Sequence, residues 1–149
     1  MPRHFLLFTS LCVGMNLCVL SQTTSNNEQP LSEFQWKNRI LLVFSPSDRD
    51  ARIQQQHDQI MEDWAPYADR DMRVFEILPH TVRELPEEVE ELGAAESFRS
   101  RYAVAPDEFK VILVGKDGGE KLSSTRPVSN LTLFGLIDQM PMRKMEMRD

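Results

Sequence analysis

Between Ser45 and Arg52 the chain places two serines, two aspartates and two arginines of its chemistry-bearing side chains within one short stretch, "SPSDRDAR". A serine hydroxyl there could act as a nucleophile if a base were positioned to take its proton, and no such base is identifiable nearby in sequence. Asp48 and Asp50 could work as a carboxylate pair, or simply complement a helix dipole as first-turn acids. Arg49 and Arg52 offer charge-assisted hydrogen bonds, and free N–H groups at a helix start favour the same anionic ligand. The plainer role is that Ser47 or Asp48 caps a helix while the arginines face solvent.

Other candidates are sparser. His4, His57 and His80 stand apart with no cysteine or histidine partner at ligand spacing, so no metal site is read. His57 reads as an ordinary side chain on a helix boundary. "VGKDGGEKLSS" places Lys116 ahead of its glycines and a strand behind them. A phosphate loop needs the reverse order leading into a helix, so the segment is a hairpin. Asn130-Leu131-Thr132 matches a glycosylation sequon but also opens a predicted helix. "MPMRKMEMRD" gathers methionines beside basic residues, and is either a docking tail or a frayed end packing two methionines on the body.

The positions of the two cysteines limit the chemistry. Arg3 precedes an apolar segment, Phe5–Leu20, and Val19 and Ser21 suit cleavage after Ser21. That pattern is a secretory signal. The segment is short for a membrane span and is broken by Thr9, Ser10, Gly14 and Asn16. Cys12 and Cys18 both lie inside it, so the mature chain has no thiol and no thiol redox chemistry. Export places it in the periplasm or outside the cell, with no stable membrane span after cleavage. A net charge of −6 and a pI near 5.1 argue against nucleic acid, which requires a basic face.

The 149 residues suffice for one domain with one continuous core. Residues 22–33 read as a flexible leader, 34–141 as the folded domain and 142–149 as a tail. "RILLVFS" is a strand buried on both faces. Ile53, Ile60, Met61, Trp64 and Ala68 recur at helical spacing, and Pro66 ends that helix. "MRVFEIL" is a second strand. An acidic approach through Glu84, Glu87, Glu88, Glu90 and Glu91 precedes a helix carrying Ala94, Ala95, Phe98 and Tyr102. The hairpin around Asp117-Gly118 follows, then a helix capped by Ser129 and stopped by Pro141. The order β-α-β-α-β-β-α predicts an α/β fold, a central mixed sheet flanked by helices in a thioredoxin-like arrangement.

"WKNRILLVFSPSDRDARIQQQ", "YAVAPDEFKVILVGKDGGEKLSS" and "LIDQMPMRKMEMRD" resemble a family of unknown function with a thioredoxin-like, peroxiredoxin-related fold. The family occurs as small exported bacterial proteins, and related domains occur in vertebrate extracellular matrix proteins, including sushi-repeat ones. The resemblance covers roughly residues 34 to 148. It implies the fold and no established activity. Thioredoxins and peroxiredoxins carry their reactive cysteines where this chain has Ser47 to Arg52, so no redox role carries over. Pro106 stands near the place of the thioredoxin cis-proline, though Asp107 and Glu108 separate it from the following strand.

The candidate ligand-binding residues are therefore Ser45, Ser47, Asp48, Arg49, Arg52 and Pro106. No catalytic residue, metal or cofactor is assigned. The expected function is a non-catalytic binding module for a protein, a peptide or a small anion. The alternatives are a self-associating envelope or matrix component, and a non-thiol enzyme working at the Ser45–Arg52 junction.

Overall fold

A computed structural model describes residues 31–148 other than Glu88 and Gly93, with Val89–Leu92 described as backbone. The expected signal segment and most of the expected leader lie outside the described residues. Six strands form one mixed sheet: β1 (Arg39–Phe44), β2 (Met72–Ile77), β3 (Thr81–Leu85), β4 (Val89–Leu92), β5 (Lys110–Val114) and β6 (Glu120–Ser124). Their spatial order is β4-β3-β2-β1-β5-β6. Helices α1 (Ala51–Glu62) and α2 (Ala65–Asp69) connect β1 to β2, and α3 (Ala95–Tyr102) leads to β5. Helices α4 (Asn130–Ile137) and α5 (Pro141–Glu146) close the chain.

Every residue of β1 is buried, because β1 lies centrally with packing on both faces. Leu41 and Val43 join Ile53, Ile60, Val74, Val111, Leu133 and Ile137 in the core under α1 and α4. Ile40, Leu42 and Phe44 point the other way, into a core with Phe75, Ile77, Phe98 and Ile112 under α3. The strand's period of two thus feeds two layers at once. β1 runs parallel to β2 and antiparallel to β5, and β5 runs antiparallel to β6. The arrangement is an α/β fold compatible with a thioredoxin-like one. Gly118 turns the β5–β6 hairpin at φ +80, as its Asp-Gly signal predicts.

Three expectations change. The acidic approach is not a lead-in to a helix: Thr81–Leu85 pairs antiparallel with β2, and β4 pairs with β3 in turn. Val82 and Leu85 supply the buried positions that pay for β3, while its charged residues sit between them. Pro66 does not end the first helix. That helix stops at Glu62, and Pro66 occupies the first turn of α2, where its missing N–H costs nothing. The buried face of α1 runs through Ile53, Gln56 and Ile60, and Met61 lies outside it, 39% exposed.

The two ends of the domain are also more ordered than expected. Leu31 is buried among the α3-side residues, followed by a 3-10 turn over Ser32–Phe34. Residues 141–146, expected partly as tail, form α5. Glu146 accepts two hydrogen bonds from Arg39, both 3.1 Å, and one from Lys116 at 2.7 Å. Arg143 adds a bond to the Asp69 carbonyl at 2.8 Å and an ion pair with the Asp69 side chain. On the α1 side, buried Gln56 clamps Val128 through both its amide groups. Asn130 of the sequon accepts from Tyr67 Oη at 2.6 Å and donates to the Gln59 carbonyl at 2.8 Å. Its amide is committed to holding α4 against α1 and α2.

Candidate functional site

In an open α/β sheet, ligands gather beyond the carboxyl ends of the strands. Phe44 ends β1 there, and the chain reaches α1 through Ser45–Asp50. Ser45 is fully buried, and its Oγ donates to the Ser47 carbonyl at 2.8 Å. Ser47 Oγ accepts from the Arg49 N–H at 3.1 Å and lies 3.3 Å from Asp48 Oδ1. Both hydroxyls are engaged locally in turning the chain.

The helix cap is Asp50, rather than Ser47 or Asp48. Its side chain accepts from the Arg52 N–H at 2.8 Å. Arg52 folds back to the same carboxylate through Nε at 3.0 Å and Nη2 at 2.6 Å. The Arg52 hydrogen bond, above all, holds the Asp50 carboxyl below its ordinary range. The Arg52 guanidinium also lies 4.9 Å from the centre of the Phe109 ring. An anion at this helix start would have to compete with Asp50 for Arg52 and for the first free N–H. Arg49 is exposed. Pro106 is exposed on a turn, and its preceding peptide bond is trans; the cis bond among the described residues is Leu85–Pro86.

On the α3 side, Arg99 gathers the strand ends. It is 3% exposed, and it donates to the carbonyls of Ser45 (2.6 Å), Ile77 (3.2 Å) and Ala105 (2.8 Å). The carbonyls at the ends of β1 and β2 therefore have an internal cation as their partner. Burial draws the Arg99 pKa downward.

On the α1 side lies the arrangement that sequence reading missed. Glu76 is fully buried on β2, on the same face as Val74 and beside Val43 of β1. Its Oε1 sits 2.9 Å from His57 Nδ1 on α1, and its Oε2 accepts from Arg83 Nη1 at 3.1 Å. Glu76 and Arg83 are directly opposed residues of β2 and β3. A carboxylate bonded to a guanidinium is an acceptor only, so His57 must donate its Nδ1–H. In the neutral ring this leaves Nε2 with a free lone pair. The imidazole is partly exposed, at 25%. A pocket of about 170 Å³ opens beside it, lined by Asp48, Ile53, Gln54, His57, Asp58, Glu76 and Arg83.

The sequence does hold a signal for this site. "VFEIL", residues 74–78, puts one acid among apolar residues of a central strand, and a charge in that position must find partners. The partners come from elements that cannot be aligned with Glu76 by inspection: a helix face one crossover earlier, and a strand read as something else. Of the predicted residues, Asp48 lines this pocket, and Ser45, Ser47, Arg49, Arg52 and Pro106 do not. Among the described residues, no group of three acidic, histidine or cysteine side chains could hold a metal ion, and no helix is long and apolar enough to cross a membrane.

The chain is similar to a zebrafish (Danio rerio) protein, Coiled-coil domain-containing protein 80, at 25% identity over 136 residues, covering 80% of this chain and 16% of that protein. It is also similar to the Sushi repeat-containing protein SRPX of Rattus norvegicus, at 27% identity over 139 residues, covering 91% of this chain and 29% of that protein. The chain thus spans less than a third of the length of either relative. No solved structure matches it significantly. A family model does match, over residues 30–146, and by that match the chain belongs to the family described as Domain of unknown function (DUF4174).

Proposed function

We propose that this protein is an exported, redox-inactive interaction module, and that it binds through the pocket between α1 and strands β2 and β3. The observation that carries this reading is the His57–Glu76–Arg83 arrangement. A fully buried carboxylate, ion-paired across two strands, fixes an imidazole whose other nitrogen is available to a ligand. Buried ion pairs are weak contributors to stability compared with apolar packing of the same volume. A position held by Val or Leu would fill the core more cheaply, so the pair is better accounted for by what it orients.

The absence of cysteine outside residues 12 and 18 supports a role without thiol chemistry. The apolar segment that follows Arg3 supports export. The junction serines give no support to a serine nucleophile, because both hydroxyls are used in the turn.

The test is a two-dimensional NMR screen of the purified protein against short basic, acidic and neutral peptides and inorganic phosphate. The reading expects at least one of these to move the amide signals of residues 53–58 and 76–83 together. Silence at those positions across the whole panel contradicts it.

A further inference from the structure

The His57 pocket does not end at α1's inner edge. A shallow groove continues along the outer side of the helix, lined by Ala51, Gln54, Gln55, Asp58, Gln59 and Glu62. Gln54 and Asp58 are walls of both cavities. The groove and pocket together present hydrogen-bond acceptors: the carboxylates of Asp48, Asp58 and Glu62, the amide oxygens of Gln54 and Gln55, and His57 Nε2. The cation in the lining, Arg83, is already ion-paired with Glu76. Such a surface is complementary to groups that donate several hydrogen bonds and carry positive charge.

Resting on the binding-module reading, we infer that pocket and groove form one track for an extended basic segment of a partner protein. One guanidinium or ammonium sits over His57 Nε2 and Asp58, and a second lies against Glu62. The spacing sets the pattern. Asp58 and Glu62 are four residues apart on α1, so their Cβ atoms lie about 5–6 Å from each other. Alternate residues of an extended chain are about 6.6 Å apart and point the same way. A segment with basic residues at every second position matches both carboxylates at once. Adjacent basic residues, which point to opposite sides, do not.

The experiment is fluorescence anisotropy on the full exported protein with three labelled peptides of equal length: Ala-Arg-Ala-Arg-Ala, Ala-Arg-Arg-Ala-Ala and Ala-Glu-Ala-Glu-Ala. The alternating basic peptide is expected to bind most tightly, with affinity falling as salt rises. Asp58→Asn and Glu62→Gln, both at exposed positions where substitutions leave the fold intact, should each weaken it about fivefold, and His57→Phe about tenfold. Asp107→Asn, an exposed acid outside both cavities, should leave it unchanged. Equal affinity for the two basic peptides, or equal loss in Asp107→Asn, would show attraction to net charge alone and overturn the inference. Preference for the acidic peptide overturns it too. If that acidic peptide still shifts residues 53–58 and 76–83, the module reading stands without the basic ligand; if no peptide binds, the basic-track inference falls, and the module reading falls with it only if the wider NMR panel, neutral peptides and phosphate included, is silent as well.

Discussion

At the scale of single residues, Glu76 joins α1 to strands β2 and β3. Its side chain has no solvent access, and Arg83 and the His57 N–H each take one of its oxygens. Removing it takes a hydrogen-bond partner from both side chains and opens a cavity in the core. Glu76→Ala should therefore cost about 3–5 kcal/mol, read as a lower urea midpoint. A second prediction separates the true helix cap from its neighbours. Asp50→Ala removes the acceptor of the Arg52 N–H and should cost about 1 kcal/mol, whereas Asp48→Ala should stay within about 0.5 kcal/mol. Sequence inspection placed the cap two or three residues early, because Ser47, Asp48 and Asp50 are all good capping types. Only the backbone, which becomes helical at Ala51, distinguishes them.

At the scale of elements, the strongest local patterns were readable. β1 announces itself as a continuous apolar run, the β5–β6 hairpin by Asp117-Gly118, and α4 by Ser129, whose Oγ accepts from the Thr132 N–H. β3 was hidden because only Val82 and Leu85 face the core, and a short charged strand looks like a polar connector. α5 was hidden for a different reason. Its anchorage is ionic and distant in sequence, joining Glu146 to Arg39 and Lys116. That anchorage predicts an acid response. Burial pushes the Glu146 carboxyl up, but the bonds from Arg39 and Lys116 outweigh it and leave the pKa lowered. Arg70 first, and then Arg143, lower Asp138 likewise. A carboxyl with a depressed folded-state pKa stabilises fully above its unfolded value, and that contribution is lost as pH falls through the folded one. Stability should thus decline as pH drops below the ordinary carboxylate range. Urea midpoints measured across that range should fall less steeply for Glu146→Gln than for the parent.

At the scale of the whole molecule, the sheet separates two packed layers. On the α3 side, Arg99 ties the ends of β1 and β2 to the Ala105 turn, leaving those carbonyls internally satisfied. On the α1 side, the pocket holds the accessible imidazole. Export belongs to this scale as well. Residues 1–30 fused ahead of an alkaline phosphatase reporter should carry it out of the cytoplasm, and the product should begin at Gln22; retention inside the cell would refute the signal reading.

The central claim is that Glu76 fixes His57 so that Nε2 is an open acceptor, and ring nitrogen NMR tests it most directly. At about pH 9 imidazoles are neutral, and exposed His80 provides an internal reference in the same spectrum. His57 should show a proton held on Nδ1 and a bare Nε2, and Glu76→Gln should weaken that preference. A His57 ring protonated on Nε2, or one giving the same nitrogen shifts as His80, would contradict the account.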